Sequence, residues 1–133
     1  AKTPNEKYIE IDKVNGDIET IRAAKIEQLK QLCTETIYEG FLSTSIPGKF
    51  FGFNDKDQAN FGQVYLLVIS GDNNGAPIKW KSKQGIVTMT EAQFKALVIE
   101  SKNHKIAMQT RYWQKEAQVL AATTNAQIDE INW

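Results

Sequence analysis

Residues Lys49 to Ile69 read KFFGFNDKDQANFGQVYLLVI, and this stretch decides the fold. The phenylalanines among its first five residues are typical of a short aromatic strand. Asn54 can cap a helix whose positive first turn holds Asp55 and Asp57. From Phe61 onward apolar residues recur at three- and four-residue steps, so the cap and the spacing predict a helix. Because this helix is apolar on most sides near its end, we expect it to be the buried centre of the fold.

The sequence before this stretch predicts a long helix. Asp17 is a suitable N-cap, Gly40 is a suitable end, and apolar residues recur between them at helical spacing, at Ile26, Leu29, Cys33 and Ile37. We interpret Cys33 as a small buried side chain, because no histidine lies nearby in the sequence to activate it. A faint heptad pattern would also suit a coiled-coil neck in an oligomer, formed by Arg22, Ile26, Leu29, Cys33 and Thr36. We favour an intramolecular core face, because two of these five residues are polar.

A β-hairpin is predicted after the central stretch. Residues Ile78 to Ser82 alternate in polarity, and residues Ile86 to Met89 are rich in β-formers. Trp80 lies in the first strand, between Lys79 and Lys81. We expect Trp80 to pack on the core while the two lysines point to solvent, as the alternation of a strand requires. The alternative is an aromatic platform flanked by cations, on which a sugar or a base can stack.

The rest of the chain predicts helices. Thr90 and Gln93 form a capping box that opens a helix, and the apolar pattern as far as Leu120 fits one bent helix or two consecutive ones. A second capping box begins at Thr124 and starts a short last helix that runs to Trp133. We expect the terminal tryptophan to dock into the core or into an interface.

These elements predict an α+β fold that is mainly helical. The helices would pack around the buried central helix, with a small antiparallel sheet made of the aromatic strand and the hairpin. A length of 133 residues suits one hydrophobic core, so residues 17–133 are predicted to form a single domain. Residues 1–16 are predicted to form an N-terminal arm, in which Tyr8, Ile9 and Ile11 make a short strand before the turn at Asn15-Gly16.

Composition limits the classes of partner. Sixteen basic and sixteen acidic residues give zero formal net charge, so the chain has no excess field that would attract nucleic acid or an anionic membrane. The longest apolar run, Val64 to Ile69, is far shorter than a membrane-spanning helix, so no membrane insertion is expected. The N-terminal residues AKTPNEKYIEID lack the apolar region of a signal peptide.

The sequence contains no standard catalytic or cofactor motif. His104 is the only histidine, and its polar neighbours predict a solvated side chain and not a catalytic one. No phosphate loop or dinucleotide fingerprint occurs. Asp55 and Asp57, and the run from Asp72 to Gly75, lack the ligand spacing of an EF-hand, so we interpret them as helix caps and turns. No catalytic residue, metal or cofactor is therefore predicted.

Five segments in a fixed order carry a family resemblance. They cover most of the chain from Arg22 to the end and read RAAKIEQLKQLCTETIYEGF (Arg22 to Phe41), FGFNDKDQANF (Phe51 to Phe61), IKWKSKQGIVTMTEAQF (Ile78 to Phe94), HKIAMQTRYW (His104 to Trp113) and AQIDEINW (Ala126 to Trp133). This order resembles a domain of unknown function found at the C-terminal ends of many bacteriophage and prophage tail proteins, including tail-fibre and baseplate-associated proteins. The resemblance assigns no catalytic residues.

The resemblance implies a non-enzymatic structural component of a phage tail, assembled in the bacterial cytoplasm and located in the virion. Its expected partners are other tail proteins in the tail tip, baseplate or fibre, and it would act by protein–protein contacts with them. A homo-oligomer of this chain is one arrangement that the resemblance allows. One alternative is a receptor-binding module for a host cell-wall glycan, with Trp80, Tyr112 and Trp113 as candidate stacking residues. A further alternative is an assembly chaperone for a tail fibre.

Overall fold

The computed structural model describes residues 17–133 and contains, within them, four helices and two small antiparallel sheets. This confirms the predicted α+β class with mainly helical content. The predicted N-terminal arm and its strand lie outside the described residues. The elements are α1 (Ile18–Glu39), β1 (Phe41–Leu42), β2 (Phe50–Phe51), α2 (Asp55–Ser70), β3 (Ile78–Ser82), β4 (Gly85–Met89), α3 (Glu91–Ala121) and α4 (Asn125–Asp129).

Two compact units divide the described residues. The first comprises residues 17–35 and Met108–Trp133, and the second comprises Thr36–Ala107. Helices α1 and α3 each have residues in both units. Each unit has buried apolar residues of its own, so the two are described separately below. A single domain over residues 17–133 stays a prediction.

In the first unit, side chains of α1 bind the main chain of the C-terminal segments. Asp17 caps α1 as predicted, with Oδ1 accepting from the main-chain N–H of Glu19 at 3.1 Å. The Arg22 guanidinium donates to the carbonyls of Val119 at 2.6 Å and Ala122 at 3.0 Å. These carbonyls lie at the C-terminal end of α3 and just after it, where carbonyl groups lack an i+4 N–H partner within the helix and where a cation is favourable.

The C-terminal residues of the first unit differ in part from the prediction. Helix α4 ends at Asp129, so it is shorter than predicted, and the last residues are irregular. Thr124 caps this helix as predicted by accepting from the N–H of Gln127 at 3.1 Å. The Gln127 side chain accepts from the N–H of Thr123 at 2.7 Å, one residue before the position that the predicted capping box requires. The Arg111 guanidinium lies 4.2 Å from the centroid of the Trp133 ring, a cation–π contact that holds the terminal residue against α3.

In the second unit, a glycine joins α1 to the first sheet. Gly40 follows the last residue of α1 and has a φ of +107°, in the left-handed region that side chains disfavour. A Cβ at this position would lie 1.9 Å from the carbonyl oxygen of Phe51. The close approach brings β1 beside β2, with Phe41 opposite Phe51 in an antiparallel register. Strand β1 has only two residues, which are too few to show an alternating pattern in the sequence.

The loop between β1 and β2 closes around a carboxylate. Glu100, on α3, accepts from the Ser43 hydroxyl at 3.0 Å and from the main-chain N–H groups of Thr44 and Ser45 at 2.9 and 2.8 Å. Burial alone would raise the pKa of Glu100, but these hydrogen bonds outweigh it and hold the pKa below its ordinary value of 4.5. The charged form of Glu100 therefore stabilises the loop.

We expect Glu100→Gln to lower the free energy of unfolding by about 2 kcal/mol at neutral pH, because an amide is a weaker acceptor than a carboxylate. The pKa of Glu100 is lower in the folded chain than in the unfolded chain. Its contribution is thus complete above the unfolded pKa and is lost as the pH falls through the folded pKa. Urea denaturation midpoints of both proteins at about pH 7 and about pH 3 measure this. The difference between them should shrink in acid, and an equal difference at both pH values would contradict the assignment.

Helix α2 begins as predicted but is buried less than predicted. Asn54 accepts from the N–H of Asp57 at 2.8 Å, and Asp57 accepts from the N–H of Asn54 at 3.0 Å, which completes a capping box. Only Phe61 and Val68 of this helix are buried. The prediction of a buried central helix is therefore wrong, because one face of α2 packs on the aromatic residues and the rest is open.

The core of the second unit is a cluster of aromatic rings. Phe53 contacts Phe41 and Phe61 with centroids 6.1 and 5.7 Å apart, and Phe61 contacts Phe94 at 5.9 Å. Phe94 is fully buried. These rings join the first sheet to α2 and α3, and their edge-on and tilted arrangements are the favourable ones for aromatic pairs.

The sheet arrangement corrects the prediction of one sheet. The aromatic strand β2 pairs with β1, and the hairpin β3–β4 forms a second two-stranded sheet. The Lys83 N–H nevertheless donates to the carbonyl of Phe50 at 2.8 Å, and the Phe50 N–H donates to Gln84 Oε1 at 2.8 Å. The hairpin turn is thus attached to the aromatic strand without continuing its ladder.

Candidate functional site

The candidate site is an open groove in the second unit with a volume of about 320 Å³. We call it the Trp80 groove. One wall is a face of α2, and the other is β3, which contributes Lys79, Trp80 and Lys81. The α2 residues recur every three or four positions, which places them on one side of the helix, and they are Asp57, Asn60, Gln63 and Val64. The volume is in the lower part of the range of small-ligand sites.

Trp80 packs on the core with part of its ring and exposes the rest of the ring to the groove. Its ring stacks on Phe61 with centroids 4.5 Å apart and planes 18° apart, and it contacts Phe94 at 5.3 Å. Lys79 and Lys81 are exposed, while Trp80 is half-buried. The predicted alternation of β3 is therefore confirmed. One face of the tryptophan is covered by the core, so a ligand in the groove meets the remainder of the ring.

The outer edge of β3 adds main-chain groups to the groove. Among residues 17–133, strand β3 pairs with β4 alone, in a register that sets Ser82 opposite Gly85 at the turn and Trp80 opposite Val87. Hydrogen-bonded and non-hydrogen-bonded pairs alternate along an antiparallel ladder. With Ser82 and Gly85 closing the ladder, the main-chain N–H and C=O groups of Lys79 and Lys81 point away from β4. An open strand edge of this kind can pair with an extended chain.

The groove offers hydrogen bonds, and its charged lining residues are Lys79, Lys81 and Asp57, which leave a small excess of positive charge. The Asn60 and Gln63 carboxamides each provide donors and acceptors on the exposed side of α2. Asp57 is partly used, because its Oδ2 caps the helix. This chemistry suits sugar hydroxyls or peptide groups better than a strongly charged ligand.

Helix α3 carries exposed apolar side chains in both units. In the second unit, Ile99 and Ile106 are 57% and 46% exposed and lie seven residues apart. In the first unit, Trp113 and Leu120 are each 58% exposed and also lie seven residues apart. Residues seven apart share one side of a helix, so each unit presents a pair of apolar side chains to its surroundings.

The structure separates the roles of the two other candidate stacking residues. Tyr112 is buried, and its hydroxyl donates to Glu116 at 2.7 Å. Burial and this bond raise the pKa of Tyr112 well above its ordinary value. Tyr112 is therefore unsuited to stack on a ligand, and its prediction is wrong because it lies on the inner face of α3. Trp113, the next residue, is on the exposed side. Both belong to the first unit, whereas Trp80 belongs to the second.

His104 is not the solvated side chain that its sequence neighbours predicted. Its Nε2 lies 3.2 Å from the carbonyl of Thr36 and 3.3 Å from that of Ile37, so this nitrogen carries the proton and donates. Its ring centroid lies 5.7 Å from that of Phe41. The histidine thus binds the last turn of α1 and has a structural role. The polar residues on either side of His104 in the sequence predict an exposed position, but His104 lies on the inner face of α3.

Cys33 is buried, as its position on the apolar stripe predicted. Its Sγ lies 3.5 Å from the carbonyl oxygen of Met108, within the first unit. Burial raises the pKa of the thiol, which disfavours the nucleophilic thiolate.

Two further observations concern residues 17–133. No group of three or more histidine, cysteine, aspartate or glutamate side chains there is arranged to hold a metal ion. No helix in that range combines the length and apolar content that crossing a membrane requires.

The sequence predicts Trp80 as a candidate site residue but does not indicate Asn60 or Gln63. The available signal was their spacing from Asp57, which repeats every three residues along α2. Polar residues at that spacing are also what an ordinary solvated helix face shows, so the spacing alone does not indicate a site.

Comparison with known proteins assigns the chain to a family. No protein with a curated description matches the chain, and no solved structure matches it. A family model described as a domain of unknown function (DUF4376) matches residues 20–132, which is most of the chain and runs from the first turn of α1 through α4. The chain therefore belongs to the DUF4376 family.

Proposed function

We propose that the chain is a non-enzymatic structural component of a phage or prophage tail and acts through protein–protein contacts in the tail tip, baseplate or fibre. The observation that supports contact with other proteins is the pair of exposed apolar side chains on α3 in each unit. Large apolar side chains left in water are favourable to cover, and they mark interaction surfaces when they recur on one side of an element. The tail context rests on the resemblance of the five ordered segments.

Genetic complementation tests this proposal. A phage or prophage from which the gene has been deleted is supplied with the wild-type chain or with Ile99→Ser/Ile106→Ser. We expect the wild type to restore complete tails and the variant to be left out of them, because serine removes the apolar area that drives docking. The matched control is Leu42→Ser, which removes an apolar side chain that is 64% exposed and lies outside α3, and which should be incorporated normally. Normal tails in the absence of the gene would contradict the proposal.

The Trp80 groove favours a second candidate, recognition of a host cell-wall glycan. Aromatic rings beside carboxamides suit sugars, which have apolar faces and hydroxyl rims. The contacts of Trp80 with Phe61 and Phe94 make its replacement a test of folding as much as of binding. Asn60 and Gln63 are exposed, so they are the better positions to change.

Binding of the purified chain to host cell-wall polysaccharide tests this candidate. We expect saturable binding that Asn60→Ala/Gln63→Ala weakens by about tenfold or more, since each lost hydrogen bond contributes about 1 kcal/mol. Gln114→Ala, an exposed change outside the groove, should bind like the wild type. Equal binding by all three proteins, or none by the wild type, would reject glycan recognition in the groove.

A further inference from the structure

The exposed side of α2 carries four residues whose spacing is the same when it is counted from either end of the helix. Four residues follow one another at steps of three, four and three, which keeps them on one side of the helix: Ala59, Gly62, Leu66 and Ile69. All four are exposed, and Leu66 and Ile69 are 62% and 53% exposed. This side is distinct from the one that lines the Trp80 groove, and it lies wholly in the second unit.

The sizes of these residues are ordered along the helix. The two small ones lie toward its N-terminus, and the two large ones lie toward its C-terminus. If a second α2 runs antiparallel about a two-fold axis near residue 64, Leu66 of one copy faces Gly62 of the other, and Ile69 faces Ala59. Each large side chain then meets a small one at all four levels. Such isologous pairing is the commonest symmetry of protein dimers.

Gly62 permits the close approach that this pairing needs. A Cβ built at Gly62 would have no atom within 4 Å, so the space beside it is open. Glycine lowers helix stability relative to almost any other residue, and no atom of the described residues 17–133 occupies the space that it leaves. A glycine at a helix contact lets two backbones come together and leaves a hole for a large side chain.

Charge and dipole favour the same antiparallel arrangement. The axis near residue 64 places the exposed Lys56 at the end where the exposed Asp72 of the other copy lies, so side chains of opposite charge lie at the same end of the contact. The Ser70 hydroxyl donates to Asp72 Oδ2 at 3.0 Å, which fixes that carboxylate at the C-terminal end of α2. Antiparallel helices also set the positive end of each macrodipole beside the negative end of the other.

We propose that a second copy of this chain docks on the Ala59, Gly62, Leu66 and Ile69 face of α2 to form an antiparallel two-fold dimer. This proposal does not depend on the proposed tail role. The 16 residues of α2 give a contact strip about 24 Å long and about 10 Å wide. Such a strip is smaller than the roughly 800 Å² per copy of a standard stable interface. The dimer is therefore reversible and forms at high protein concentration.

Sedimentation equilibrium of the full chain tests the dimer, from about 5 µM to about 0.5 mM. We expect the wild type to pass from monomer to dimer over this range, and Gly62→Leu to associate about tenfold more weakly or not at all, because the leucine fills the hole for Leu66. Gly62→Leu should keep the helical circular dichroism of the wild type, because its side chain enters open space. A wild type that is monomeric throughout, or a Gly62→Leu that associates as the wild type does, overturns the proposal.

A matched pair of variants locates the interface. Leu66→Ser and Leu42→Ser remove leucines that are 62% and 64% exposed, and both positions lie in the second unit. We expect Leu66→Ser to be monomeric and Leu42→Ser to dimerise like the wild type. Equal effects of the two changes would show non-specific apolar association and reject this face.

Cross-linking tests the antiparallel register. Ala59→Cys/Ile69→Cys should form disulfide-linked dimers under mild oxidation, because the register brings the two positions together between copies. Ile69→Cys alone should remain monomeric on a non-reducing gel, since the two copies of residue 69 lie at opposite ends of the contact. Cross-linking of the single variant as fast as the double variant would reject the antiparallel arrangement.

Discussion

Gly40→Ala is expected to lower the free energy of unfolding of the second unit by about 4 kcal/mol or more, or to prevent its folding. The added Cβ would lie 1.9 Å from the carbonyl oxygen of Phe51, and main-chain atoms cannot yield without separating β1 from β2. The φ of +107° adds a conformational penalty for any side chain. Urea denaturation followed by circular dichroism measures the loss.

Gly48→Ala is the control for Gly40→Ala. Gly48 also has a positive φ, of +78°, but a Cβ there would have no atom within 4 Å. We expect it to cost only about 1 kcal/mol, which is the conformational part of the penalty. Similar losses for the two variants would contradict a close approach of Gly40 to the carbonyl oxygen of Phe51.

Phe94→Ala is expected to lower the free energy of unfolding by about 3 to 5 kcal/mol. Phe94 is fully buried, and its ring contacts Phe61 at 5.9 Å and Trp80 at 5.3 Å. Its removal leaves a cavity that the surrounding rings cannot fill completely. The lost transfer free energy of the ring and the residual cavity both lower the free energy of unfolding. The thermal midpoint should fall together with the urea midpoint.

Leu42→Ala is the control for Phe94→Ala. Leu42 is 64% exposed, so its truncation should change the free energy of unfolding by less than about 0.5 kcal/mol. If Phe94→Ala were no more harmful than this surface change, the aromatic cluster would not be the core of the second unit.

Local signals in the sequence were sufficient for most elements. The reciprocal hydrogen bonds of the Thr90–Gln93 capping box form as predicted, and Asn54 caps α2 as predicted. Such bonds involve residues three apart and need no knowledge of the tertiary structure. The strand alternation around Trp80 has the same local character, which explains why the hairpin was also found.

Long-range contacts explain what the sequence did not predict. The run VYLLVI has the composition of a buried segment, yet Leu66 and Ile69 are exposed, because burial depends on which neighbours reach each face. Likewise Glu100 reads as an ordinary helix-surface residue, and only the structure shows its bonds to a loop 55 to 57 residues away. The walls of the Trp80 groove come from α2 and β3, and no local sequence pattern predicts that these two elements lie side by side.

Immunogold electron microscopy of particles from bacteria that carry the gene tests the tail role most directly. An antibody against the chain is applied to purified particles, with particles from a strain lacking the gene as the control for labelling. We expect gold on the tail, confined to one substructure, and no label on the control particles. Intact tails that carry no label, in a preparation where the chain is found only as free protein, would contradict a structural role in the tail.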